Sequence, residues 1–298
     1  MKWDLNTMAS AENKSILLTF DVEDWFQVEN FKEYIKFSTW NFFELRVEKN
    51  TIKILDLLDS FSSRPKATFF ILGWIAQKFP HLVREIHERG HEVASHGLNH
   101  HLCKNLSSKE LMRDLIASKV LLEELTGNEV YGYRGPSFAI NDETLSSIEQ
   151  AGYIYDSSYN SFSGHGRYGK IDLSSAEKRE ACCRINNNFF ELPISNYKFK
   201  NRVIPLGGGG YFRLFPFHLF KFGMKSVLKK DKAFIFYAHP WEFDPSQPRV
   251  EQASKGFKFR HYINLHKTEN KLKALLESFC DYEFVTCIDY IKKQYTHK

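Results

Sequence analysis

Short runs of β-branched and aromatic residues alternate along the chain with longer amphipathic stretches, and this alternation limits the architecture more than any other feature. The runs fall at 16–20, 68–72, 92–95, 131–134, 153–155, 189–192, 233–238 and 283–286. Between most of them apolar residues recur at helical spacing, as Ile52, Leu55 and Leu58 do within 44–61. Similar patterns cover 80–89, 107–125, 141–150, 215–229 and 266–279, and 107–125 opens with the capping box Ser107-Ser108-Lys109-Glu110. About eight strands separated by helices predict a parallel sheet covered by helices, an α/β fold closed as a (β/α) barrel. The stretch 161–188 shows no such pattern and is expected to run over the surface as an excursion or lid. With no internal repeat and no Pro- or Ser-rich linker, the expectation is a flexible tail over 1–14 and a single barrel domain over 15–298.

Composition removes several classes of function. The 43% hydrophobic content is enough for one sizeable core and excludes a disordered chain, and the 27 Phe read chiefly as core filling. Lys and Arg exceed Asp and Glu by 41 to 36, a net +5 that is small and dispersed and argues against a nucleic-acid partner. Five cysteines in odd number, without CxxC spacing, read as reduced thiols and give no support to a zinc–thiolate site. The opening residues lack the apolar core of a secretory leader, and the apolar run 67–76 is far shorter than a membrane span. The expected location is therefore the cytoplasm.

Chemistry-bearing residues cluster where the strands end. Asp21, Glu23 and Asp24 follow the first run, His96 and His100 the third, Arg134 the fourth, Asp156 the fifth and His239 the seventh. In a closed barrel the carboxyl ends of the strands share one face, so these residues are expected to converge. His96 and His100 are four apart, which on a helical turn lets two imidazoles reach one divalent ion; a carboxylate would complete a catalytic site with a position open for water. Of the three acids after the first run, one can bind the ion and another, positioned by Arg134, can take a proton; helix capping is the alternative role for an acid there. His239 is suited to protonate a leaving amine, with Asp156 fixing its tautomer, or else is a core histidine. Trp241 is either the floor of a sugar groove or a core residue.

Taken together, the motifs Phe20-Asp21-Val22-Glu23-Asp24-Trp25, Ser95-His96-Gly97-Leu98-Asn99-His100, Arg134-Gly135-Pro136 and Ala238-His239-Pro240-Trp241 resemble the polysaccharide deacetylases with a NodB-homology domain. More narrowly, they resemble the branch whose first motif is DVEDWF-like. The likeness runs from about Ile16 to Tyr290, and the stretches Glu191-Leu192-Pro193 and Gly207 to Arg213 resemble the C-terminal half of that branch. It implies a distorted (β/α)7–8 barrel, one divalent metal and hydrolysis of N-acetyl groups on amino sugars. It also implies Asp21 as catalytic base, Arg134 as the residue that orients it, His239 as general acid, and His96 and His100 as metal ligands.

Three positions depart from the family pattern. Val22 stands where a second aspartate is usual, so the metal carboxylate is Glu23 or Asp24, and spacing does not choose between them. No tryptophan follows the Asp156 region, where Tyr159 lies nearby, and Tyr237 stands in place of a leucine two residues before His239.

The reaction expected is metal-assisted amide hydrolysis that releases acetate and a free amino sugar, most readily with Zn2+, with Co2+, Ni2+, Fe2+ or Mn2+ as alternatives. Pro136, Trp25, Tyr211 and Trp241 are the candidate substrate contacts. The substrate class is an N-acetylated carbohydrate in a polysaccharide or in its lipid- or nucleotide-linked precursor. The rivals are hydrolysis of small amides such as ureides or formamides on the same scaffold, and a non-catalytic carbohydrate-binding module. The basic, amphipathic stretch Phe217 to Lys230 is expected to be a core-facing helix with a lysine-rich outer face, and would also suit contact with an anionic membrane.

Overall fold

In the computed structural model, which describes residues 14–295 except 163, 165, 167 and 201, the first strand, β1 (Ser15–Val22), is buried along its whole length. A strand covered on both faces belongs at the centre of a parallel sheet, and β1 pairs in parallel with neighbours on both sides. Residues 1–13 of the expected tail lie outside the described residues.

The further strands are β2 (Ala67–Ile71), β3 (Glu92–Ser95), β4 (Gly132–Tyr133), β5 (Tyr155–Asp156), β6 (Glu177–Arg179), β7 (Cys182–Arg184), β8 (Phe190–Glu191), β9 (Asn196–Phe199), β10 (Arg202–Pro205), β11 (Ala233–Ala238) and β12 (Glu283–Phe284). Parallel pairing runs β11-β1-β2-β3-β4-β5-β8, with β12 beside the start of β1. The curled sheet is brought round by single contacts in place of a full ladder. Gly207 N–H donates to Ser195 O, and Tyr237 N–H in β11 donates to Gly207 O, at 2.8 and 2.7 Å. A side chain at Gly207 would strike the carbonyl oxygens of Ser195 and Ile235 within 3 Å, so the glycine run serves close backbone packing at this seam. The architecture is the distorted (β/α) barrel that the strand–helix alternation implies.

Helices α1 (Val47–Asp59), α2 (Gly73–Lys78), α3 (Pro80–Glu88), α4 (Ser108–Thr126), α5 (Asp142–Gln150), α6 (Gly209–Leu214), α7 (Phe217–Asp231), α8 (Lys255–Tyr262), α9 (Thr268–Ser278) and α10 (Cys287–Tyr295) complete the chain. The capping box of α4 forms as its sequence predicts, with Ser107 and Glu110 satisfying each other's backbone N–H groups. Helix α7 turns Phe220, Met224, Val227 and Leu228 inward and its lysines outward, although Leu219 and Phe222 also face solvent.

The supposed excursion is partly ordered. Strands β6 and β7 form an antiparallel hairpin that extends the sheet beyond β8, a local pairing that three-residue strands do not betray through periodicity. The apolar run 67–76 is β2 continued by the first turn of α2. Among the described residues no helix is long and apolar enough to cross a membrane, and all five cysteines are free thiols.

Candidate active site

The carboxyl ends of β1, β3 and β11 open onto a cavity of about 290 Å³ lined by Asp21, Glu23, His96, His100 and His239. Each is brought there by a local device. Glu23 follows β1 after a tight turn in which its N–H donates to Asp21 O at 3.0 Å. The loop after β3 bends at Gly97 (φ 76°) and again at His100 (φ 56°), and Leu98 N–H anchors it to Asp114 of α4 at 2.9 Å. The two histidines therefore meet through a loop with two left-handed residues, not along the helical turn expected from their spacing.

Glu23 is the carboxylate that joins them. Its Oε2 lies 2.7 Å from His100 Nε2, and Glu23, His96 and His100 offer ligand atoms within 4.8 Å of one another. His96 Nδ1 lies 2.7 Å from Arg134 O, so it carries the proton, and Nε2 keeps its lone pair toward the cavity. Burial lowers His96 to about 4, which keeps the ring neutral. Burial would raise Glu23, but the nearby His100 and His239 outweigh it and hold the carboxyl near 2. Glu23 Oε2 is buried, and its close approach to His100 Nε2 lacks the geometry of a hydrogen bond, so the oxygen is otherwise unsatisfied. One carboxylate, two imidazoles, of which His96 is oriented from behind by Arg134 O, and an orphaned oxygen together fit a divalent ion.

Asp24 points elsewhere. Its carboxylate accepts from Trp25 N, Arg46 N and Val47 N at 2.7 to 3.0 Å, capping α1, whose own N-cap residue supplies no side-chain bond. The tight turn that ends β1 separates the neighbours, with Glu23 toward the cavity and Asp24 toward the helix.

Asp21 and Arg134 form a buried pair at 2.7 Å. The guanidinium also donates to Thr19 Oγ1, Ser157 O and Ser157 Oγ, and it lies 4.0 Å over the Phe70 ring, so it is held on every side. Asp21 Oδ2 lies 3.9 Å from His239 Nε2, across the cavity.

His239 is oriented by a residue that the sequence reading missed. Its Nδ1 meets Glu242 Oε1 at 2.8 Å, and Glu242 Oε2 accepts from Arg213 Nε at 2.6 Å. Arg213 is tied in turn to the carbonyls of Arg260, His261 and Ile263. Burial would lower His239, but Glu23, Glu242 and Asp21 together raise it to about 9. The available signal was the acid three residues after the histidine, in His239-Pro240-Trp241-Glu242.

Asp156 does not reach His239. It accepts from Ser158 N and Ser158 Oγ at 2.9 and 2.7 Å, and Ser158 Oγ accepts from Gly135 N, so its influence falls on the backbone next to Arg134. Burial raises both Asp156 and its neighbour Glu191.

The expected substrate contacts divide in the same way. Trp241 and Tyr211 line the cavity. Trp241 donates to Glu23 Oε1 at 3.3 Å and stacks on His239 and, at 4.1 Å, on His261. Trp25 is buried among Phe26 and Phe43 with its indole N–H on Glu44 O. Pro136 is buried in the turn whose next residues, Ser137 and Phe138, line the cavity.

Comparison with known proteins divides the chain into two segments. Residues 9–155 match the family model described as polysaccharide deacetylase, and residues 157–292 match one described as a domain of unknown function (DUF3473). The two segments share one sheet, since β5 pairs β8 and β1 pairs β11.

Over 103 residues, 35% of this chain and 47% of the relative, the sequence is 34% identical to a peptidoglycan-N-acetylglucosamine deacetylase of Bacillus cereus. Over 113 residues, 38% of this chain and 32% of the relative, it is 34% identical to the peptidoglycan deacetylase-like protein FGM2 of Gibberella zeae. A chitooligosaccharide deacetylase of Sinorhizobium fredii is 29% identical over 103 residues, covering 34% of this chain and 47% of that protein. The matched segments thus span a third to a half of these relatives. In fold, the chain is similar to a Mycobacterium smegmatis protein described as a polysaccharide deacetylase, with a TM-score of 0.64 and 17% identity over 99% of this chain and 93% of that one.

Proposed function

Because the chain belongs to the polysaccharide deacetylase family, we propose that it is a metal-dependent hydrolase that removes N-acetyl groups from an amino sugar in a polysaccharide or its precursor. The observation that carries this reading is the meeting of Asp21, Glu23, His96, His100 and His239 at one cavity. Three of these fit a divalent ion, and the other two are a carboxylate and an imidazole beside them.

Glu23, His96 and His100 would hold the ion, with Zn2+ best matched to a donor set of one carboxylate and two imidazoles. When bound, such an ion polarises an acyl carbonyl and makes water a nucleophile at neutral pH. The chain's own groups move the protons. Arg134 engages Asp21 Oδ1, so Oδ2 is the atom left to accept a proton from the attacking water. Glu242 holds the proton on His239 Nδ1, which leaves Nε2 facing the cavity to deliver a proton to the departing amine. Trp241 keeps the imidazole plane parallel to its own, at an interplanar angle of 21°. The products are acetate and an amino sugar.

The test is acetate release from chitooligosaccharides, peptidoglycan fragments and nucleotide sugars with added Zn2+, Co2+, Ni2+ or Mn2+. Release that depends on the ion and disappears in Asp21→Asn supports the reading. Turnover of ureides or formamides alone would replace it with the small-amide hydrolase, and sugar binding without any hydrolysis would replace it with a binding module.

A further inference from the structure

Net charge is small for the whole chain but not evenly spread. From Pro193 to Lys230 the sequence contains no Asp or Glu and eight Lys or Arg. Arg213 is buried on Glu242, while Lys198, Lys200, Arg202, Lys225, Lys229 and Lys230 are exposed and Lys221 is half-buried. Among the described residues none of these seven forms an ion pair, so their charge faces outward.

The same stretch carries unusually exposed apolar side chains: Phe222 at 67%, Leu219 at 54% and Phe199 at 53%. Leu219 and Phe222 are three apart on α7 and share a face, which continues down the helix to Lys225 and Lys229. The opposite face of α7 is packed on the barrel, and β9 packs against the helix, so Lys198, Phe199 and Lys200 adjoin it. Helix α7 leads directly into the start of β11, so its first turns lie at the carboxyl-end face. There the preceding helix contributes Tyr211 and Leu214 to the cavity.

We propose that the exposed face of α7 and the β9–β10 hairpin dock on an anionic lipid bilayer. Phe and Leu side chains offer no hydrogen bond to a sugar or a base, whereas apolar tips flanked by lysines and free of acids match an interface of acyl chains beneath anionic headgroups. Docking on this side sets the cavity mouth beside the membrane, and it assigns a lipid-borne amino sugar as the substrate. That second step rests on the deacetylase reading, while the docking face does not.

The experiment is flotation of the full chain with vesicles of phosphatidylglycerol and phosphatidylcholine at 3:7, against phosphatidylcholine alone, at low and physiological salt. Partition onto the anionic vesicles should be about tenfold stronger and should weaken with salt. The double variants Leu219→Ser/Phe222→Ser and Lys221→Glu/Lys225→Glu should each lower it about tenfold while leaving acetate release from soluble sugars unchanged. Absence of flotation, equal flotation of the variants, or concentration-dependent self-association that covers the exposed face would each overturn the docking surface. For the substrate, both variants should slow deacetylation of a polyprenyl-diphosphate N-acetylglucosamine held in the same vesicles. Equal rates there would overturn the lipid-borne assignment. Flotation reads no catalysis, so failure of docking and failure of the deacetylase reading are separate results.

Discussion

Arg134 Nη1 donates to Asp21 Oδ1 at 2.7 Å, and both side chains are buried. The geometry leaves one carboxylate oxygen for chemistry and pins the other. Replacing Asp21 with Asn should lower kcat by roughly 10²–10⁴ without emptying the metal site. Single-turnover acetate release and bound metal per chain, measured on the same preparation, test this; substantial turnover would remove Asp21 from the role of base. Arg134→Lys should lower both kcat and Tm, because an ammonium cannot reproduce the planar set of bonds to Thr19, Asp21 and Ser157.

The metal assignment separates Glu23 from Asp24. His96→Ala and Glu23→Gln should abolish stoichiometric metal binding, and a chelator should lower the Tm of the native protein but not of these variants, since only a folded site gains stability from its ligand. Asp24→Ala should keep its metal and lose about 2–4 kcal/mol of stability through three backbone N–H groups left without an acceptor. Loss of metal in Asp24→Ala, with Glu23→Gln still loaded, would reverse the assignment.

Glu242 joins His239 to Arg213 and touches no other reacting group. Glu242→Gln should lower kcat about 10- to 100-fold with KM and metal content little changed. Steady-state kinetics check the split. A change confined to KM would make Glu242 a substrate contact and not the residue that orients the imidazole.

At the opposite end of the barrel, Glu92 accepts from Thr68, Tyr155 and the N–H of Ile288. Burial outweighs these bonds and raises its carboxyl from 4.5 to about 7. The folded state therefore binds more protons than the unfolded one between those values, and stability falls as pH rises through that window. Below 4.5 both states are protonated; above 7 both are ionised and the full cost is present. Relative to the native protein, Glu92→Gln should gain roughly 1–2 kcal/mol between pH 4.5 and 8, after allowance for partial exposure. Denaturant midpoints at the two pH values measure it, and a constant difference would contradict the shift.

Much of this was readable along the chain. Burial and helical periodicity are local signals, so the strand cores, the capping box at Ser107 and Glu110, and the placement of Asp21, His96, Arg134 and His239 at strand ends followed from the residues alone. Two-residue strands such as β4 and β5 were overestimated, because a barrel stave can leave the ladder while its sequence remains apolar. The hairpin of β6 and β7 was missed for the opposite reason: three-residue strands are too short to show a period.

Direction and partnership lay beyond the pattern. Glu23 and Asp24 are adjacent acids of the same kind, and only the turn of the chain after β1 sends one to the histidines and the other to the N-terminus of α1. Asp156 and Glu242 were both available to His239, and the choice fell to Glu242 because a short turn after β11 returns it to the imidazole while β5 points Asp156 at Ser158. A residue's type and spacing state what chemistry it can do. Which atom it faces depends on backbone turns of one or two residues and on contacts made from far along the chain, and those exist only once the barrel has closed.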